Sequence, residues 1–152
     1  MELTQEYLRE RFNYDEETGV LTWRTHLRAK RYVGTEAGTR KRRYRAVYLN
    51  KKTYLTHRLI WIYMYGAIPD NMEIDHIDGN PLNNRISNLR LCTRNQNMWN
   101  RKAKGYRFKD GGFQVAIRHL GKYLYLGTYK TEEEAQSVYR KKCIELRGEF
   151  AC

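Results

Sequence analysis

The 152-residue chain has few cysteines, few acids and no long apolar run. Its three cysteines, Cys92, Cys143 and Cys152, lie far apart, are odd in number and form no CxxC pair. That argues against a zinc knuckle or ribbon and fits a reducing cytoplasm. The longest apolar run, Leu59 to Tyr65, is too short to span a bilayer, so no membrane partner is expected. Met1 to Tyr14 is polar and charged, so no signal peptide is expected either. No tract is long or biased enough to read as disordered.

The shortage of acid has a counterpart. Against 17 Asp and Glu stand 29 Lys and Arg, a net charge of +12. Such an excess points to an anionic polymer, because each Lys or Arg that replaces a counterion on a phosphate backbone favours binding. Ribosomal and membrane-surface proteins are basic too, so charge alone does not decide. Aromatics make up 13% of the chain and include 13 tyrosines, which pack in a core and still present a polar edge. The length allows one ordinary domain or two small ones.

In chain order, Thr4 to Phe12 reads as a short helix capped by Thr4, with Tyr7, Leu8 and Phe12 as its stripe. Asn13 to Gly19 reads as a turn-rich break and Val20 to Arg24 as a strand. A basic loop from Arg28 to Arg45 follows, with Arg40, Lys41, Arg42, Arg43 and Arg45 clustered as a solvated tip or as an arm on phosphates. Tyr44–Leu49 and Thr53–Thr56 alternate around Asn50-Lys51-Lys52, as in a β-hairpin. His57 to Tyr65 reads as a largely buried helix ending at Gly66, with His57 taken as structural rather than catalytic.

The stretch from Glu73 to Arg101 concentrates the chemistry: EIDHIDGNPLNNRISNLRLCTRNQNMWNR. Glu73 to Ile77 reads as a strand, and Asp78-Gly79-Asn80-Pro81 as a turn that continues through Asn83-Asn84. Leu89 to Cys92 reads as a second strand, and Thr93 can cap a helix over about Arg94 to Lys104. Phosphodiester hydrolysis needs a base for water and a means of neutralising charge in the transition state. An imidazole such as His76 suits the first near neutral pH. A divalent ion suits the second, and Asp75 with an asparagine carbonyl offers it hard oxygen ligands. An EF-hand is ruled out, because Ile74 stands where that loop needs an acid. Asp75 and His76 are neighbours on a strand, where side chains point to opposite faces.

Asp75-His76, then Asn88, then Asn97, within DHIDGN, an NNRxxNL element and a QN helix, resembles the HNH (ββα-metal) nucleases of phage and homing type. The resemblance covers Glu73 to Arg101 closely and His57-Arg58-Leu59 more loosely. It implies that His76 is the general base and that Asp75 binds the metal. It implies that Asn88 braces the loop beside His76 as part of the catalytic set. Asn97, standing where many members have the last histidine, would be the second metal ligand. The implied cofactor is Mg²⁺, with Mn²⁺ as the alternative, rather than zinc or nickel.

Beyond Lys104-Gly105, Tyr106–Lys109, Phe113–His119 and Lys122–Tyr129 read as three strands with tight turns. Thr131 caps a helix to about Arg147, with Glu134 as its capping box and Ala135, Val138, Tyr139, Cys143 and Leu146 as its stripe. Gly105-Tyr106-Arg107, Ala116-Ile117-Arg118, Tyr125-Leu126-Gly127-Thr128-Tyr129, Glu133-Glu134-Ala135 and Arg147-Gly148 resemble the plant ethylene-response-factor (APETALA-type) DNA-binding domain. That resemblance implies a sheet in the major groove, with Arg107, Lys109, Phe113, Arg118, Lys122 and Tyr125 toward DNA.

The expected fold class is therefore α+β. A ββα-metal core at 73–104 lies within a nuclease domain at 1–104 that adds an N-terminal hairpin and helices. A small three-stranded antiparallel sheet packed on one helix follows at 105–152. The expected function is metal-dependent cleavage of double-stranded DNA, by a monomer or homodimer, in the cytoplasm of a bacterial host if the gene is a phage's. The alternative is a non-catalytic DNA-binding regulator.

Overall fold

The computed structural model describes residues 3–25, 29–100 and 103–151; Arg28, Arg101, Lys102 and Cys152 lie outside them. The chain divides into two compact units, Met1–Arg94 and Asn95–Cys152. The junction expected at Lys104-Gly105 therefore lies within the second unit.

In the first unit, helix α1 (Gln5–Arg11) starts at Thr4, whose hydroxyl accepts the Tyr7 N–H at 3.2 Å. The chain then enters strand β1 (Phe12–Asp15), paired antiparallel with β2 (Val20–Trp23). A break had been expected from Asn13. The segment is extended because Phe12 and Tyr14 alternate toward the core, and Phe12 lies opposite Trp23 with their rings 4.6 Å apart. The expected basic loop also holds a strand, β3 (Thr39–Lys41), which joins β4 (Tyr44–Leu49) and β5 (Lys52–Leu55) in a three-stranded antiparallel sheet. Asn50 and Lys51 close the β4–β5 hairpin with φ of 50° and 63°, as a two-residue turn between right-twisted strands requires.

Helix α2 (Thr56–Tyr65) follows and stops at Gly66, whose φ of 87° no ordinary side chain accommodates easily. Leu59 and Ile60 of α2 are fully buried with Leu8, Phe12, Leu21 and Val47, each burial contributing roughly 1.5–3 kcal/mol. Strands β6 (Met72–His76) and β7 (Leu89–Thr93) form an antiparallel pair, tied to this core by Ile74 and Leu89. Helix α3 (Arg94–Trp99) follows β7 directly and is shorter than the helix expected to reach Lys104.

The second unit is the expected sheet on a helix. Strands β8 (Tyr106–Lys109), β9 (Gly112–His119) and β10 (Lys122–Tyr129) run antiparallel in the order β10-β9-β8. Helix α4 (Glu132–Arg147) starts at Thr131, which accepts the Glu134 N–H at 3.2 Å. Val115 and Ile117 pack against Ala135, Tyr139 and Cys143. Among the described residues no helix is long and apolar enough to cross a membrane.

Candidate active site

The β6–β7 hairpin brings the chemistry-bearing side chains of the first unit together. In its register Asp75 lies opposite Arg90 and His76 opposite Leu89. Alternation sends the two neighbours apart, as a regular strand dictates. The Asp75 carboxylate receives two N–H groups of Arg90, from Nε at 3.1 Å and Nη2 at 2.9 Å, and the pair is nearly buried. Sequence reading had assigned Asp75 to a metal and had not paired it. The Asp75 carboxylate is thus already paired with a guanidinium.

His76 turns the other way. Its Nε2 lies 3.0 Å from the side-chain oxygen of Asn84, and both residues are buried. The His57 ring meets the His76 ring edge-on at 4.9 Å, and Tyr44 flanks both, at 5.5 Å from His57 and 6.3 Å from His76. Burial, reinforced by His76 and Arg58, pushes the His57 imidazole down to about 3, so His57 stays neutral near pH 7. Sequence reading missed Asn84 as a partner of His76. Its only signal was membership of the Asn83-Asn84 pair, and the pairing depends on how the loop folds back.

The loop between the strands is tied by asparagines. Asn88 accepts the Asp78 N–H through its side-chain oxygen at 3.1 Å. Its amide nitrogen donates to the Asp78 carboxylate at 2.9 Å and to the Asn83 carbonyl at 2.8 Å. The Asn88 carbonyl also accepts the Ile77 N–H, one residue past His76, at 2.9 Å. Burial alone would raise the Asp78 carboxyl, but donations from Asn83, the Asn80 N–H and Asn88 hold it below its ordinary value. A second tie comes from the β1–β2 hairpin. The Tyr14 hydroxyl donates to the Asn84 carbonyl at 2.9 Å and accepts the Ile86 N–H at 2.8 Å. Burial pushes that phenol up to about 12, so it stays a donor.

Asn97 lies on α3, in the second unit. Two residues on, the Trp99 ring stacks on His119 at 4.8 Å, and the Arg147 guanidinium sits 5.9 Å from its centre. Helix α3 is thus anchored to the body of that unit. Cys92 is buried, and burial pushes its thiol up to about 11, which removes it as a nucleophile at neutral pH.

The basic candidates fall into two groups. Arg40 on β3 and Arg42 and Arg43 at the β3–β4 turn are exposed, Arg42 with a φ of 58°. Arg45 differs: it pairs with Glu36 at 2.8 Å and donates to the Gly38 carbonyl at 2.8 Å, so it stiffens the sheet. In the second unit, register puts Arg107, Lys109, Arg118 and Tyr125 on the face away from α4, together with Tyr123 and Gln114. Phe113 is corrected: it shares the face of Val115 and Ile117 and packs on the core between Tyr106 and Phe108. Lys122 pairs with His119, on that same helix-side face, at the exposed start of β10. Tyr123, 61% exposed, was not singled out from the sequence.

The family model described as HNH endonuclease matches residues 54–99. An uncharacterized HNH endonuclease of Acanthamoeba polyphaga mimivirus is 38% identical over 101 residues, 62% of this chain and 54% of that protein. Protein 3.8 of Escherichia phage T7 is 42% identical over 107 residues, 62% of this chain and 86% of that protein. The DNA endonuclease I-HmuI of Bacillus phage SP01 is 37% identical over 54 residues, 36% of this chain and 31% of that enzyme. The chain thus spans about half the length of the mimivirus relative and most of the T7 one. No solved structure matches it significantly.

Proposed function

The chain belongs to the HNH endonuclease family, and from that premise we propose that it is a metal-dependent endonuclease of phage or homing type acting on double-stranded DNA. The observation that carries this reading is the buried His76 at the end of β6, one ring nitrogen at an amide oxygen, inside the segment the family model matches.

His76 takes the proton of a water molecule. The hydroxide so formed attacks phosphorus in line with the leaving oxygen. The bond from phosphorus to that oxygen breaks, and the leaving oxygen takes a proton from solvent. Asn88 holds Asp78 and the loop, so the imidazole meets the substrate in one orientation.

HNH nucleases generally use a divalent metal, and the donors assigned to it here are oxygens. They are the Asp75 carboxylate and the Asn97 amide, and no group of three or more His, Cys, Asp or Glu suited to a metal occurs among the described residues. One carboxylate and one amide oxygen suit Mg²⁺, or Mn²⁺, which keep several of their own waters. A bound ion would supply positive charge against the transition state and the leaving oxygen.

One chain carries one such set, so a single copy nicks one strand, and a double-strand cut takes two copies or two successive nicks. Arg40, Arg42 and Arg43 at the β3–β4 tip would contact phosphates. The outer face of β8–β10, with Arg107, Lys109, Arg118 and Tyr125, would lie in the groove.

Incubation of supercoiled plasmid with Mg²⁺ tests the reading. Wild type should relax it, and His76→Ala should slow nicking by about 10²–10⁴-fold, the usual contribution of a general base, while still retarding DNA in a gel. A wild type that binds plasmid and never relaxes it makes the chain a DNA-binding regulator. Cleavage indifferent to EDTA overturns the metal assignment.

A further inference from the structure

We propose that the β1–β2 hairpin sets the His76 ring, through Asn84, in the tautomer and orientation that leave Nδ1 as the basic nitrogen; this rests on the reading of His76 as general base.

A hydrogen bond holds the His76 ring. An amide oxygen can only accept, so the 3.0 Å contact from His76 Nε2 to Asn84 Oδ1 puts the ring proton on Nε2. The basic lone pair is then on Nδ1. Both side chains are buried, so water does not readily replace Asn84 as the acceptor.

Asn84 sits in a loop, and a loop by itself is a poor support for a catalytic side chain. Here the support comes from some seventy residues earlier in the chain. The Tyr14 hydroxyl bridges the Asn84 carbonyl and the Ile86 N–H, at 2.9 and 2.8 Å, and so fixes the backbone on both sides of Arg85. The Arg85 Nε donates to the carbonyl of Glu17 in the β1–β2 turn. At Gly19 that turn meets the loop backbone to backbone. A Cβ there would lie 2.5 Å from the Arg85 nitrogen and 2.7 Å from the Asn84 carbonyl carbon, and its φ is 74°. The turn is itself pinned by the Asp15 carboxylate, which accepts the N–H groups of Glu17 at 2.9 Å and Thr18 at 3.2 Å. Contacts from Tyr14, Glu17 and Gly19 thus converge on residues 84–86, and that segment delivers one oxygen to the imidazole. Tyr14, Gly19 and Asn84 are positioning residues, acting through His76.

The bland alternative is that these contacts only stabilise the loop. Two readouts separate them. The first is the ¹⁵N spectrum of the His76 ring in the full-length, metal-free protein at pH 8. Wild type should show the Nε2–H tautomer, Asn84→Leu a mixture or the Nδ1–H form, and Asn84→Asp, which keeps the acceptor, Nε2–H again. The second is plasmid nicking. Asn84→Leu should lower kcat about 10²-fold, the cost of a misplaced reacting group, with KM within about threefold of wild type. Asn84→Asp should recover at least about tenfold of that loss.

Tyr14→Phe keeps the ring packing and removes only the two hydrogen bonds, so it reports even if Asn84→Leu does not fold; it should lower kcat severalfold and weaken the Nε2–H signal. The proposal is overturned if wild type shows Nδ1–H, or if folded Asn84→Leu and Tyr14→Phe keep both the wild-type tautomer and kcat. If His76→Ala nicks as fast as wild type, the general-base reading fails instead, and the tautomer measurement still decides whether Asn84 sets the ring.

Discussion

The β6–β7 unit and the outer face of the β8–β10 sheet are both polar, and they are built on opposite plans. In the first, the side chains are engaged with each other before any substrate arrives: Asp75 with Arg90, His76 with Asn84, Asp78 with Asn83 and Asn88. In the second, Arg107 has a long contact of 3.4 Å to Gln114, Lys109 reaches Asp110 only at 3.7 Å, Tyr125 is exposed with its hydroxyl 2.6 Å from that of Thr128, and Arg118 and Tyr123 are exposed. Chemistry on phosphorus needs groups whose positions are fixed in advance, because reorganising them during the reaction adds to the barrier. Holding a phosphate backbone needs mobile cations that displace counterions, and salt weakens them. The difference between the units is therefore one of when the side chains are ordered, at folding or at binding.

The largest expected effect tests the buried plan. Arg90→Ala leaves the Asp75 carboxylate buried without its guanidinium, and should cost roughly 3–5 kcal/mol of unfolding free energy in a urea titration. Replacing both partners by leucine should restore most of that stability, since two apolar groups of similar volume carry no desolvation penalty, and should leave no nicking. A cost under about 1 kcal/mol for Arg90→Ala would mean that the pair behaves as a surface pair, and the contrast with the sheet would collapse.

The next effect is a pH dependence. His57 is pushed from an ordinary 6.5 to about 3 in the folded state. Below 6.5 the unfolded chain takes up a proton that the folded one refuses. The contribution of His57 is thus fully present above pH 6.5 and is lost progressively as pH falls toward 3. Between pH 7 and pH 5 it should amount to about 2 kcal/mol. Urea titrations of wild type and His57→Phe at both pH values isolate it: the stability of wild type relative to His57→Phe should fall by about 2 kcal/mol on acidification. A constant difference would show that water reaches the ring.

Much of the fold was legible because local rules act alone there. Thr4 and Thr131 cap their helices, and Gly66 stops α2. Strand alternation carries most of β2, β4 and β7–β10. The misreadings have physical causes. Asn13 and Asp15 looked like turn residues, yet Phe12 before them and Tyr14 between them had a core to bury against, and packing overrode propensity. β3 is too short and too charged to show alternation and exists because β4 offers it a pairing edge. At the site, the motif residues Asp75, His76, Asn88 and Asn97 were legible as types at a spacing. The pairings of Asp75 with Arg90 and His76 with Asn84 were not, because they depend on hairpin register and on a loop pressed from behind by a distant turn. Phe113 was placed on the wrong face because a bare run of residues does not say which of the two alternating sets meets the helix.

The smallest expected effect tests the exposed plan and can reverse the comparison. If Arg107 and Arg118 hold phosphates, each change to alanine should weaken binding of a DNA duplex by about 1 kcal/mol and reduce the slope of log affinity against log salt by about 1. If either reads a base edge, affinity should fall by about 1–3 kcal/mol for the preferred site only, with a smaller change in slope. Unfolding free energy should stay within about 0.5 kcal/mol of wild type in both cases, because neither side chain has a buried partner. Phe113→Ala is the control from the opposite face of the same strand. It should lower stability, because it packs beside Tyr106 and Phe108, and leave the salt slope alone. Were Phe113→Ala to change the salt slope while the two arginines changed only stability, the groups that meet DNA would lie on the helix side of the sheet. The outer face would then be a structural surface, ordered at folding like the site around His76.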